Sequence, residues 1–371
     1  PAVQALAARK GTIYAGGQFR TVTDASGTTT YQRHHIMSFD AVTGAMRPFA
    51  PRFNGPVWAI EPRGQAVFVG GAFTAVNGVP RQGLVKLNAV SGEVIRTFAP
   101  PFTTGGVTEV QMARGQLIVG GTFPAKLRAF DPATGRGNDY LNLAIAGSVA
   151  ANAGDTEVYR FAISSDERRL VAVGNFTTVD GAERWRAFML NLRRGEARLS
   201  AWSYPPLIRR CDSTFTTDYL RDVDFSPDGS YFVMVAAGSV PQEGGVGTDI
   251  CDAAARFETA VTAPTQPTWI NYTGGDTLHS VAVTGAAVYV QGHQRWLDNP
   301  DGDNTAGTGA VEREGIGAID PTTGLALPWN PGKTRGIGGK DLLATPSGLW
   351  VASDGALFNG ERRARIAFCP L

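Results

Sequence analysis

Three observations predict an all-β fold, a seven-bladed β-propeller of mostly four-stranded antiparallel blades whose last blade is incomplete. A two-strand unit recurs from one end of the 371-residue chain to the other. Its copies lie about 50 to 63 residues apart, too long for a solenoid rung and right for a four-stranded blade with its loops. The chain carries 46 Gly and 22 Pro with almost no 3.6-residue apolar periodicity, which marks many short strands joined by turns.

The unit is clearest in Val67 to Gly92, V-F-V-G-G-A-F-T-A-V-N-G-V-P-R-Q-G-L-V-K-L-N-A-V-S-G. Ala66 to Val69 alternates apolar side chains into a strand, and Gly70-Gly71 ends it where only glycine tolerates a bulge or a close backbone. Arg81 leads into a second strand, Leu84 to Leu87, and Ser91-Gly92 turns the chain. The first copy runs through Ile13 to Phe19 and Ile36 to Asp40, and the third through Leu117 to Gly121 and Leu127 to Asp131. The fourth pairs Leu170 to Gly174 with Ala187 to Asn191, and the fifth pairs Tyr231 to Ala236 with Ala254 to Glu258. Val288 to Gly292 with Ile316 to Asp320 makes the sixth, and Leu349 to Ala352 with Arg365 to Phe368 the seventh. The blades divide one domain, 1-371, at roughly 1-53, 54-104, 105-154, 155-216, 217-274, 275-334 and 335-371.

Each blade offers four strands, A to D. In the second they are Val57 to Glu61, Ala66 to Val69, Leu84 to Leu87 and Val94 to Phe98. Seven such sheets set around an axis leave few free edges. The seventh unit stops just after its strand C, while Pro1 to Ala8 serves as strand A of the first. The missing strand is therefore expected from residues outside the sequence, or the ring closes by packing alone. The turns at Thr43-Gly44, Ser91-Gly92, Thr134-Gly135, Asp228-Gly229 and Thr323-Gly324 are tight. The large insertions, Arg20 to Arg33, Tyr204 to Tyr219, Ser239 to Cys251 and His293 to Arg313, all fall in the D-to-A and B-to-C connections, which share one face. Long loops on one end of a rigid scaffold are where binding concentrates, so that face is the expected functional surface.

With 34 basic against 33 acidic residues the net charge is +1, and no global field draws the chain to nucleic acid or to an anionic membrane. No apolar run reaches the roughly 18 residues that span a bilayer, and any export signal is expected outside this sequence. Cys211 precedes blade five and Cys251 ends that blade's B-to-C loop, which puts both on the elaborated face and predicts a disulfide. Such a bridge implies an oxidising compartment. Cys369 sits in the last strand, where it reads as a buried apolar filler.

The repeats V-G-G-A-F-T-A-V-N-G with Arg81, and L-x-A-x-[ST]-G after it, resemble the propeller repeats of secreted actinobacterial proteins, also known as delta-60 repeats. Longer stretches are similar too: Arg210 to Asp212, Val223 to Phe232, Gly292 to Pro300, Leu342 to Pro346 and Arg365 to Phe368. The resemblance implies fold and export, often beside further extracellular modules, and carries no catalytic set.

Arg33, Arg81, Arg184, Arg313 and Arg363 stand at equivalent positions before strand C, and five equivalent blades cannot share one ligand. They are expected to satisfy loop carbonyls between adjacent blades. Strand A reads Trp58, Thr108-Glu109, Tyr159-Arg160, Arg221-Asp222, His279-Ser280 and Lys340-Asp341 near its start, polar for an innermost strand. One reading is a water-filled channel whose charges pair, such as Arg160 with Glu109 or Asp222; the other is a shallow polar cup for a sugar or peptide end. His293 to Asn304 is the least repeat-like stretch, and there Trp296 either stacks on a ligand with Arg295 and His293 beside it or plugs its own loop. Asp298, Asp301 and Asp303 offer closely spaced oxygens, and a structural calcium is the one cofactor they would suit. No nucleophile elbow, zinc helix or phosphate loop is present. The expectation is a non-enzymatic recognition or assembly module that binds a glycan or a secreted protein. The alternative is a polysaccharide-acting hydrolase or lyase using carboxylates such as Glu109 and Asp222 at the channel mouth.

Overall fold

The structure, a computed structural model, describes residues 2–24, 26–150, 153–212, 219–260, 265–336 and 338–370. The chain packs as two compact units, Pro1–Asn142 and Leu143–Leu371. Among the described residues its elements are short antiparallel strands, together with one 3-10 turn at Pro205–Ile208.

Among the described residues the first unit holds three main sheets, each a meander of three strands in chain order, beside two-stranded ladders in the loops. They are β1 (Val3–Arg9), β2 (Thr12–Gly17) and β3 (Ile36–Asp40); β4 (Val57–Arg63), β5 (Ala66–Gly71) and β6 (Leu84–Asn88); and β7 (Val107–Ala113), β8 (Gln116–Gly121) and β9 (Leu127–Phe130). The second unit holds four main sheets, beside smaller ladders in its loops. β10 (Glu157–Ile163), β11 (Arg169–Asn175), β12 (Ala187–Leu192) and β13 (Ala197–Leu199) form the first of these, and β14 (Leu220–Phe225), β15 (Tyr231–Ala236), β16 (Ala253–Glu258) and β17 (Trp269–Tyr272) the second. The last two are β18 (Leu278–Val283), β19 (Val288–Gly292) and β20 (Ile316–Ile319), then β21 (Gly339–Thr345), β22 (Gly348–Ser353) and β23 (Ile366–Pro370). Within each unit the first strands of successive sheets pack side by side, as the inner strands of propeller blades do.

The middle strands are the most buried: every residue of β5, β15 and β22 lies inside. This packing explains the glycine pair. A side chain on Gly70 would put its first carbon 2.5 Å from Val107 of the next sheet, and one on Gly71 would collide with the Pro56 carbonyl. The first glycine lets the next inner strand approach, and the second makes room for the incoming connection.

The fourth strands differ from expectation. Among the described residues only two sheets carry one, β13 and β17; elsewhere the pairing shrinks to single bridges, Phe39 with Met46, Leu87 with Val94, Phe130 with Gly137 and Ile319 with Ala326. Pro48, Pro51, Pro100 and Pro328 sit in or beside these segments, and a residue without an N–H cannot extend a ladder. The repeated arginines compensate. Arg33 donates to the Arg47 carbonyl at 3.3 Å, Arg81 to Arg96 at 3.4 Å, Arg184 to Ser200 at 3.2 Å and Arg313 to Leu327 at 3.1 Å. Each thus ties down the fourth segment of its own sheet rather than bridging to a neighbouring blade.

The turns into those segments are tight, as expected. Asp40, Asn88, Asp131 and Asp320 each accept backbone N–H groups two and three residues on, at 2.7 to 3.0 Å. The predicted disulfide forms between Cys211 and Cys251, both buried, with Cα atoms 5.7 Å apart. Cys369 is the free thiol and is part-exposed, not the buried filler expected. No helix of the described residues is long and apolar enough to cross a membrane.

Candidate functional site

Every first strand skips one residue in its pairing with the second, and the skip falls at the same place near the strand's start. In the first unit the skipped residues are Gln4, Trp58 and Thr108; in the second they are Tyr159, Arg221, His279 and Lys340. All are partly exposed. A bulge sets two residues against one on the partner strand and re-aims a side chain. The polar positions read from the sequence therefore split in two. The first of each pair is the bulged residue, while Glu109, Arg160, Asp222, Ser280 and Asp341 stay in register with the second strand.

The second unit also holds a charged cluster built on Asp276, whose carboxylate is 3% exposed; of the bulged residues His279 stands beside it, next to His293. Arg295 grips it with Nε at 2.8 Å from one oxygen and a terminal nitrogen at 3.0 Å from the other, and its backbone N–H adds a third bond at 3.0 Å. Arg335 donates to the same carboxylate at 3.0 Å and to the His293 carbonyl at 2.6 Å. The His293 ring lies 3.7 Å from the carboxylate, an ion pair once protonated. Burial alone would raise the pKa of Asp276; His293, Arg295 and Arg335 outweigh it and hold the group at about 2. Three loops are pinned at one ion: the one before β18, the one after β19 and the one before β21.

The Arg295 guanidinium also lies over the Trp296 ring, 4.4 Å from its centroid. Arg295 is thus engaged with both Trp296 and Asp276 in the protein itself. The His279 and His293 rings are 6.0 Å apart, and Gly338 packs so closely on His279 that a side chain there would collide with the ring. Arg221 covers Tyr219 at 4.7 Å, and Tyr219 meets Tyr159 edge-on at 5.5 Å. Burial lowers both Arg221 and Lys340; Asp354 supports the charge on Lys340 and Arg221 opposes it. Behind this rim Asp252, 2% exposed, accepts from Thr277 at 3.0 Å and from the Ser239 N–H at 2.9 Å. Burial still pushes it up to about 7, with His293 lowering and Asp276 raising it. In the first unit burial does the same to Glu61, also raised to about 7, with Glu109 adding to the effect.

Sheet six departs from its siblings at this end. Where other sheets place Phe19, Phe73, Phe123 and Phe176, it places Gln294, fully buried with neither amide atom hydrogen-bonded. Gln291 replaces the first glycine of the pair and donates to the Asp341 and Ala352 carbonyls of the next sheet at 2.7 and 3.1 Å. The sequence marked this stretch as irregular but did not reveal Asp276 or Arg335, which lie far along the chain from Arg295.

Other predicted residues fall elsewhere. Asp222 accepts the Val281 N–H of the neighbouring sheet at 3.0 Å. Asp298 accepts from the Ala326 N–H at 3.0 Å and from Asn271, so it holds a fourth segment in place just as Asn77 bonds the Arg52 N–H at 2.7 Å and the Gly92 carbonyl at 3.0 Å. Asp303 accepts from Asn304 at 3.0 Å, and Asp301 is exposed. The three aspartates expected to hold calcium do not converge, and among the described residues no three His, Cys, Asp or Glu side chains gather as a metal site requires.

No family model matches the chain, and no curated protein matches it. Solved structures do. The computationally designed Ika8 protein is 12% identical with a TM-score of 0.50, covering 100% of this chain and 96% of its own. The β-propeller domain of Cps50 (Swd1) from Myceliophteria_thermophila is 10% identical with a TM-score of 0.47, covering 76% of each chain. At such identities the likeness is one of fold alone.

Proposed function

We propose that the seven sheets are the blades of one β-propeller and that the protein is an exported recognition module which binds a glycan or another secreted protein. Binding uses the face of the long D-to-A and B-to-C connections. The observation that carries this reading is the set of bulges. The fold requires a bulge at the start of each first strand, but it does not require the residue: four successive sheets place Tyr159, Arg221, His279 and Lys340 there. Equivalent geometry filled with unlike chemistry is what a surface reading one asymmetric ligand needs, and the Asp276 cluster keeps it rigid. The disulfide supports an oxidising compartment, and the repeats resembling those of secreted actinobacterial proteins agree with it.

Against hydrolysis, Asp222, one of the two carboxylates that reading names beside Glu109, is engaged by a neighbouring N–H, and the buried Asp276 is locked by two arginines. Neither is placed as a mobile acid or base. A glycan array and a pull-down from culture supernatant test the proposal. The expected result is selective retention of one ligand class, weakened about tenfold or more in Arg221→Met and in Trp296→Ala. Turnover of a polysaccharide, or retention indifferent to both substitutions, overturns it.

A further inference from the structure

Arg221, His279 and Lys340 are the bulged residues of three neighbouring first strands, β14, β18 and β21, which pack side by side within the second unit. All three are partly exposed, so the bulges set them at one level of the same rim. Cations held this close to the interior are ordinarily matched by a carboxylate or bonded to carbonyls. Two of these are not. Among the described residues neither Arg221 nor Lys340 makes a hydrogen bond or an ion pair, and the Arg221 Nε is buried without a partner. What Arg221 does have is the Tyr219 ring, 4.7 Å from its guanidinium carbon.

The carboxyls nearby are committed elsewhere. Asp252 accepts from the Thr277 hydroxyl and the Ser239 N–H, and Asp354 accepts the Gly338 N–H at 3.3 Å, so each supports the cations only through space. Burial lowers both Arg221 and Lys340, and the charge of Arg221 lowers Lys340 further. The adjoining Asp276 cluster does not restore balance, because it sets one carboxylate against the guanidiniums of Arg295 and Arg335. His279 stands at its edge, 6.0 Å from the His293 ring. Holding two partly desolvated cations near each other without a counter-ion costs stability and gives the fold nothing in return. A ligand that brings an anionic group replaces the lost water with charge-assisted hydrogen bonds. The donors are side chains beside aromatic rings, Tyr219 meeting Tyr159 edge-on at 5.5 Å, and not the nest of backbone N–H groups that captures a chain terminus. A planar fork beside an aromatic wall fits a carboxylate carried on a ring.

We propose that Arg221 and Lys340, with the Tyr159 and Tyr219 rings beside them, form a subsite for the carboxylate of an acidic sugar, a uronic or sialic acid residue. The inference rests on the recognition reading above and narrows its ligand. The probes are uronic- and sialic-acid oligosaccharides, each titrated into the 371-residue chain beside its own methyl ester, with neutral glycans and short peptides for comparison. At least one acidic oligosaccharide should bind saturably below about 1 mM and lose about tenfold or more in affinity on esterification, a comparison that needs no variant. Arg221→Met and Lys340→Met, each checked for folding by circular dichroism, should weaken it about tenfold, and raised ionic strength should weaken it severalfold. Ester and acid bound alike, or acid binding that ignores both substitutions, overturns this inference and leaves the recognition face standing. A peptide retained only while its C-terminal carboxylate is free does the same. Retention of no glycan and no peptide overturns both.

Discussion

Asp252 and Asp276 are both buried carboxyls at the ends of sheets five and six, and their surroundings push them in opposite directions. Asp276 receives two arginines and stays ionised to about pH 2. Asp252 receives only a hydroxyl and an amide, and burial raises it from 3.8 to about 7. Between those two values the folded protein holds a proton on Asp252 that the unfolded chain has released. Stability therefore falls as pH rises through this window and levels off above about 7. Glu61 and Asp224, both raised to about 7 with burial the first cause, add to the same slope. Asp252→Asn removes one share of it. Calorimetric melting at pH 5 and pH 8 should show the wild type losing more of its Tm across the interval than the variant, by a few degrees. Identical losses would mean that Asp252 ionises freely in the fold. None of this was legible in the sequence, where Asp252 looks like any acidic loop residue beside a cysteine; its burial depends on Thr277 and Ser239, far along the chain.

At the level of the element, the sequence reading was sound for strands A to C and too generous for D. Val94 to Phe98 alternates as a strand should, yet it makes one bridge and then departs. Periodicity reports which side chains face inward. It does not report whether enough N–H groups remain to build a ladder, and prolines take several of those away. The equivalent arginines were recognised as structural from their repetition alone, and the structure gives them a definite task within each sheet. The task has a size. Arg81→Ala removes the bond to the Arg96 carbonyl and is expected to cost about 1 kcal/mol in urea unfolding. Arg81→Lys should recover little of this, because an ammonium cannot reproduce the planar fork that also reaches Pro80. A fully stable Arg81→Ala protein would show that the segment is held by Phe98 and its packing alone.

For the molecule as a whole, the repeat carried the architecture because a strand ending in a glycine pair or its substitutes, an arginine and a turn recur at similar spacings, and where the pair is intact, as at Gly16-Gly17 and Gly70-Gly71, it has the same steric cause. The Asp276 cluster is the opposite kind of feature. It joins residues 276, 295 and 335 from three loops, each of them singular, and no local pattern links them. The disulfide lies between these cases, since the phase of the repeat was enough to place Cys211 and Cys251 at one end of the fifth sheet. Their bond closes a loop of 40 residues that contains β14 and β15, the inner and middle strands of that sheet. By loop-closure entropy, opening it should destabilise the protein by about 4 kcal/mol, a loss in Tm of roughly 8 to 16 °C if the second unit unfolds cooperatively. Cys211→Ala with Cys251→Ala tests this cleanly, because Cys369 then remains as a lone thiol and reshuffling cannot occur. Should the double variant melt where the wild type does, the bridge would be a passive link across connections that the Tyr204 and Tyr272 hydroxyls, bonded to the Thr248 and Asp249 carbonyls at 2.6 and 3.0 Å, already hold in place.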